Sequence, residues 1–238
     1  GTWELYDLEA DRQMRFHALL ADDAALRVPR VLTELSANAV LSSEYCDGER
    51  FDTFRSTASA AARDRAGEAL FRFHVGSLYQ HNLFHADPHP GNYAFDASGR
   101  VTVYDYGCVR EYPRPIVVAL ARCAAAMRRE DLDGAFAALA AVGATPPRSS
   151  DEREALHALL KGFFAPLLTP GRRRFDVGVF SAGRNLFEDK RRLMKLRLPP
   201  EMLFLFRLRF GLFSVLHQLG AEADWAELEQ SWAQGCVR

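Results

Sequence analysis

With 238 residues, 48% hydrophobic and 26% charged, the chain has an ordinary globular composition and enough length for one large domain or two small lobes. Its formal net charge of -1 gives no global electrostatic reason to expect nucleic acid or an anionic surface as partner. The four cysteines, Cys46, Cys108, Cys123 and Cys236, form no CxxC pair, which argues against a zinc ribbon or a disulfide framework and predicts a reducing, intracellular setting.

Residues 4–21 carry Leu5, Leu8, Phe16, Leu19 and Leu20 at roughly helical spacing among acidic and basic residues, which predicts an amphipathic helix. RVPRVLTELS and ANAVLSSEY are β-rich runs parted by a polar break, read as a pair of strands, and Asp47-Gly48 ends the second with a turn. From Phe54 to His81, periodic Leu70, Phe73 and Leu78 predict one long helix. YAFDASGRVTVYDYG alternates apolar and polar residues around Asp96–Arg100, the pattern of a β-hairpin. After Pro113 the sequence reads as helices over 114–128, 130–142, 151–167, 181–195, 200–219 and 223–235, with breaks at Gly143–Ser150 and Thr169–Arg174. The longest apolar stretch, 202–216, is interrupted by Arg207 and Arg209 and reads as a core or amphipathic helix rather than a membrane span. With no leader pattern at the N-terminus, the expectation is a cytoplasmic protein, at most peripheral to a membrane.

The chemistry concentrates in FHADPHPGN and DYG. Asp87 and Asn92 stand five apart, and Asp105 follows thirteen residues after Asn92, beyond the predicted hairpin. A hairpin folds its two ends together, so Asn92 meets Asp105 with Asp87 close by on the preceding loop. An amide oxygen and a carboxylate converging in this way suit Mg²⁺, a hard ion that takes oxygen ligands and keeps waters for substrate phosphates. Asp87 is then free to orient or deprotonate a hydroxyl. This is the arrangement of the protein-kinase catalytic loop, where an Asn follows the Asp by five and an Asp-x-Gly comes later. Upstream, SEYCDGE at 43–49 resembles a kinase hinge, with Ser43 in the gatekeeper place. Glu44, Tyr45 and Cys46 would meet adenine there, through the backbone of Glu44 and Cys46. Glu9 takes the place of the glutamate that pairs with the ATP-orienting lysine.

HADPHPGN, together with LEADRQMRFHALLADD, VLSSEYCDG, DYGCVREYPRP and the stretch over 191–220, resembles the UbiB/AarF family of atypical kinases, a group linked to ubiquinone biosynthesis. The resemblance implies an α+β, protein-kinase-like fold: a partial N-lobe of one helix and two strands over 1–46, then a helical C-lobe over 47–238. It implies Asp87 as the catalytic-loop aspartate, Asn92 and Asp105 as Mg²⁺ ligands, and Glu9 as the lysine-pairing glutamate. The implied activity is Mg²⁺-dependent ATP binding with phosphoryl transfer or hydrolysis. An isoprenoid-lipid precursor or a membrane surface would be the partner.

The sequence also departs from kinase patterns. Ala86 stands where ordinary kinases have Arg, and no Ala-Pro-Glu follows Gly107, so control by activation-loop phosphorylation is not expected. The family's Glu-x-Asp falls on Trp3 and Leu5. There is no Gly-rich loop and the first lysine is Lys161, which suggests a chain that begins inside the N-lobe or relies on another segment. Two further readings stay open. One is a pseudokinase-like module that binds nucleotide or lipid without catalysis; the other is a metal-dependent hydrolase using His85, Asp87 and His89. Arg172-Arg173-Arg174 and Lys190-Arg191-Arg192 read first as solvated surface, and Phe204, Phe206, Phe210 and Phe213 as helix core.

Overall fold

The computed structural model describes residues 3–37, 40–175 and 198–237. Helix α1 (Trp3–Leu19) turns Gln13 and Phe16 inward, while Leu8 and Leu19, expected on its buried face, are 47% and 38% exposed. Strand β1 (Leu26–Arg27) follows. The two β-rich runs do run antiparallel, with Leu32 N donating to Ser42 O (2.8 Å) and Glu44 N to Arg30 O (2.8 Å), but they form isolated bridges at Val31–Ser43 and Ala37–Val40 rather than two strands. Local side-chain bonds compete with the ladder. Thr33–Leu35 coils into a 3₁₀ turn, and Ser36 Oγ donates to Leu32 O (2.9 Å) while accepting from Ser42 N (3.0 Å).

Beyond the short strand β2 (Glu49–Arg50), the single helix expected over 54–81 is three pieces. Helix α2 (Phe51–Thr57) ends because Ala58 and Ser59 are extended, and Ser59 then caps α3 (Ala60–Phe71) by accepting from Ala62 N (3.2 Å). A π turn over Arg72–Gly76 links α3 to α4 (Ser77–His81), which stops at Asn82 in the left-handed region, φ +56°. Strand β3 (Leu83–His85) then delivers the chain to the HADPHPGN loop.

The hairpin forms where alternation places it. Strand β4 (Tyr93–Phe95) pairs antiparallel with β5 (Val101–Val103), and Asp96 Oδ1 accepts from Ser98 N (2.8 Å) and Arg100 N (3.0 Å) to hold the turn. Gly99 is required twice: its φ is +89°, and a Cβ there would stand 2.2 Å from Ala62 O on α3. The sheet runs β1-β5-β4-β2, so β1 ties the N-terminal stretch directly to the hairpin, parallel to β5. Strand β6 (Val109–Glu111) pairs with β3, a contact that three-residue strands do not advertise in sequence.

The helices after Pro113 are α5 (Arg114–Arg128), α6 (Leu132–Ala140), α7 (Ser150–Phe163), the short α8 (Ala165–Leu168), α9 (Pro200–Leu219) and α10 (Trp225–Val237). The helix expected over 181–195 and the cluster at Lys190-Arg191-Arg192 lie outside the described residues. Between α8 and α10 the sequence shows no strand signal, yet β7 (Arg173–Arg174) pairs with β8 (Glu222–Ala223). The arginine run there is spent internally: Arg172 pairs with Asp64, Arg174 with Glu222 at 2.9 Å, and Arg173 Nη2 donates to Pro170 O (2.7 Å). Helix α9 is long and apolar enough to cross a membrane by length and composition, but Phe206, Phe210 and Phe213 are buried in the protein. Buried Arg209 on the same helix pairs with buried Glu229 on α10 and donates to Phe163 O (2.7 Å), which makes α9 a core helix.

Candidate active site

The expected residues meet. Tyr104 N donates to Asn92 O (3.0 Å), closing the hairpin's base, so Asn92 and Asp105 lie at its two adjoining ends. Asn92 Nδ2 donates to Asp87 Oδ2 (2.9 Å) and to Asp87 O (3.1 Å), which fixes the carboxylate from the side. Asp105 Oδ1 accepts from Gly107 N (2.8 Å), a tight turn that sets the carboxylate's direction. All three are half-buried. Among the described residues Asn92 Oδ1 and Asp105 Oδ2 have no hydrogen-bond partner. Two oxygen donors left over at the ends of one hairpin are a donor set that fits a hard divalent cation.

His85 fastens both halves. Its Nε2 bonds to the carbonyl of Asp105 and its Nδ1 accepts from Asp87 N (3.4 Å). A carbonyl only accepts, so Nε2 carries the proton and the ring is neutral. Burial lowers the His85 pKa, against smaller opposing effects from Asp105 and Asp87. His74, in the π turn, sits behind it: Nδ1 donates to His85 O (3.1 Å), and Nε2 accepts from Tyr93 OH (2.8 Å). Desolvation, with help from the neighbouring His85, lowers the His74 pKa well below the ordinary range, and burial raises that of Tyr93, so this relay is neutral throughout. Tyr106 of the DYG is fully buried; its ring packs against Phe16 (5.6 Å between centroids) and His85 (5.9 Å). Sequence reasoning missed His74, because a lone histidine on an apolar helix carries no signal.

This geometry disposes of the hydrolase set of His85, Asp87 and His89. Both His85 nitrogens are engaged and His89 Nδ1 accepts from Gly91 N (3.0 Å). No group of three or more His, Cys, Asp or Glu side chains among the described residues converges as metal ligands.

Glu9, expected as the lysine-pairing glutamate, lies beside the DYG: a Cβ on Gly107 would stand 3.7 Å from Glu9 Oε2. Arg12, one turn on and unexpected, donates through Nη1 to Gly107 O (2.8 Å). In the 43–46 segment the Glu44 side chain is drawn to Arg27 (2.8 Å), and hydrogen bonds from the Arg30 backbone and from Arg27 lower its pKa despite partial desolvation. Cys46 O accepts from Tyr104 OH (2.7 Å), which ties this segment to the hairpin. Tyr45 is 85% exposed. The amide of Cys46 has no hydrogen-bond partner among the described residues, and Glu44 O receives only a long contact from Cys46 Sγ (3.8 Å). One donor and one acceptor are thereby left two residues apart on the chain. The side chains of Trp3 and Leu5 lie outside what is described.

The family model for the ABC1 atypical kinase-like domain matches residues 2–138. Uncharacterized protein sll0095 of Synechocystis is 25% identical over 85% of this chain and 35% of its own length. Atypical kinase COQ8B, mitochondrial, of Rattus norvegicus is 34% identical over 47% of the chain and 21% of its own. The chain therefore spans about a third or less of these relatives. A solved structure, Rv3197 from Mycobacterium tuberculosis in complex with erythromycin, superposes over 100% of this chain and 60% of its own at TM-score 0.75 and 20% identity, which shows a shared fold. With a match over more than half its length and the Asp87–Asn92–Asp105 geometry in place, the chain belongs to the ABC1 atypical kinase-like family, the UbiB/AarF group.

Proposed function

We propose that this chain supplies the metal-binding and base-bearing half of an ATP site and catalyses Mg²⁺-dependent phosphoryl transfer. The observation that carries the reading is the pair of partnerless oxygens, Asn92 Oδ1 and Asp105 Oδ2, beside a second carboxylate, Asp87, that the same asparagine holds in place. Asn92 and Asp105 would hold Mg²⁺, which when bound neutralises charge on phosphate oxygens. Asn92 Nδ2 occupies Asp87 Oδ2, so Oδ1 is the end that orients the attacking hydroxyl and receives its proton. The neutral His85–His74–Tyr93 relay keeps the loop and the DYG in register without adding charge beside the phosphates. Glu44 O and Cys46 N would take the adenine edge.

A second reading, nucleotide binding without transfer, is favoured by one sequence fact: no lysine precedes Lys161. The resemblance makes an isoprenoid-lipid precursor or membrane-surface partner the first acceptor environment to try. The mitochondrial name of the COQ8B relative makes an organelle setting part of the same proposal, alongside the expected cytoplasmic one. Calorimetric titration with ATP and ADP, with Mg²⁺ and with EDTA, tests the reading, followed by an assay of γ-phosphate release. Binding that requires Mg²⁺ supports it. Binding of equal strength in EDTA, or no binding, contradicts it, and binding without γ-phosphate release selects the second reading.

A further inference from the structure

Asp87 also lines a cleft of about 920 Å³ that takes in neither Asn92, Asp105 nor the 43–46 segment. Its walls are α1, β6 with the residues before it, and α9, and its size lies within the range of small-molecule sites, about 300–1,000 Å³. Four arginines line it: Arg12, Arg15, Arg110 and Arg207. Arg15 is neutralised by Glu111 at 3.1 Å. The other three have no carboxylate partner among the described residues: Arg12 bonds to the Gly107 carbonyl, Arg110 stacks over the Phe204 ring at 4.3 Å, and exposed Arg207 has no hydrogen bond or ion pair to any of them. With Arg15 and Glu111 cancelling, three unneutralised guanidinium groups share a concave wall with Asp87 as the one other carboxylate among the described lining residues.

The helix that carries Arg207 is placed by close packing. A Cβ on Gly211 would stand 3.1 Å from Pro88 Cγ, so α9 lies directly against the catalytic loop. Arg207, four residues earlier, is on the same helical face. A guanidinium fork matches phosphate geometry, and three of them around one cleft favour a multiply charged oxyanion over a neutral or cationic ligand.

We infer that this cleft holds the phosphoryl acceptor and that the acceptor is an alcohol carrying a phosphate-type oxyanion, with Arg207, Arg110 and Arg12 as its specificity-determining residues. The inference rests on the proposed ATP reading and adds the acceptor's class. In the step, the acceptor's hydroxyl oxygen bonds to the γ-phosphorus of ATP while the bond from that phosphorus to the β–γ bridging oxygen breaks. ADP leaves with that electron pair, and the hydroxyl proton passes to Asp87. The same oxyanion occurs on free sugar or polyol phosphates and on lipid headgroups.

The test titrates glycerol 3-phosphate, with glycerol as the neutral control, into wild type, Asp105→Ala and Arg207→Glu. Sedimentation with phosphatidylglycerol and phosphatidylcholine vesicles forms the lipid arm. Wild type and Asp105→Ala are expected to bind glycerol 3-phosphate alike, glycerol not at all, and Arg207→Glu about ten- to a hundredfold more weakly at an unchanged melting temperature. Selective loss of phosphatidylglycerol vesicle binding in Arg207→Glu, without glycerol 3-phosphate binding to wild type, supports the inference with a lipid as the source. Equal binding by Arg207→Glu and wild type overturns it, as does loss in Asp105→Ala alone, or wild type binding neither probe. Mg²⁺-dependent ATP binding by wild type and Arg207→Glu is measured beside these, so the ATP reading stands or falls on a different curve.

Discussion

Two polar clusters in this molecule have opposite endings. Tyr79, Arg209 and Glu229 form a closed set: Arg209 and Glu229 are 4% and 0% exposed, Tyr79 OH donates to Glu229 Oε1 (3.1 Å), and the guanidinium also reaches Phe163 O and stacks over its ring at 4.5 Å. Asp87, Asn92 and Asp105 form an open set, half-buried, with three acceptor oxygens, Asp87 Oδ1, Asn92 Oδ1 and Asp105 Oδ2, unpartnered among the described residues. Proteins satisfy their buried polar groups almost without exception, so a closed network marks architecture, while spare acceptors gathered at a surface are what the proposed ligand site rests on. Arg207 and Arg209 repeat the contrast two residues apart. A two-residue step turns a helix about 200°, which sends one guanidinium into the cleft and the other into the core.

If the division holds, the closed cluster carries stability. Glu229→Ala strands Arg209 in the core and is expected to cost about 3–5 kcal/mol, read as a fall in the chemical-denaturation midpoint. A change under about 1 kcal/mol would put the cluster among the dispensable surface pairs. Gly99→Ala probes the boundary, because the hairpin that carries the open set is itself clamped to α3 at Ala62. It is expected to destabilise by about 1–3 kcal/mol and to weaken any Mg²⁺-dependent nucleotide binding with it.

The neutral relay gives a smaller, pH-dependent effect. His74 has a folded pKa depressed by burial, so the unfolded chain binds a proton that the folded one refuses. The stability it guards is present above the unfolded value of about 6.5 and is lost as pH falls below it, by up to about 1.4 kcal/mol per pH unit. Melting temperature from pH 7.5 to 5.5 should fall in wild type and fall less steeply in His74→Phe. Parallel slopes would remove His74 from the account.

The open set was legible in sequence because its spacing is read along the chain: Asp87 to Asn92 within one loop, and Asn92 to Asp105 across a turn that Asp96 and Gly99 announce. The fold class and the helices at 114–128 and 200–219 were legible for the same reason, as long runs of local periodicity. What the sequence hid depends on partners far away. The pairing of β3 with β6, the inward face of α1 through Gln13, and the divergence of Arg207 from Arg209 are set by what packs against them. The break at Ala58–Ser59 was hidden differently: one serine cap inside an alanine- and arginine-rich run outweighed helix propensity.

The central claim is that the Asp87–Asn92–Asp105 set serves a ligand rather than the fold. The most direct measurement is the melting temperature of wild type and Asp105→Ala, each with and without Mg²⁺ and ATP. The account predicts that the two proteins melt within a few degrees of each other without ligand, and that Mg²⁺ with ATP raises only the wild type. A large ligand-free drop in Asp105→Ala, or an equal rise in both proteins, would contradict it.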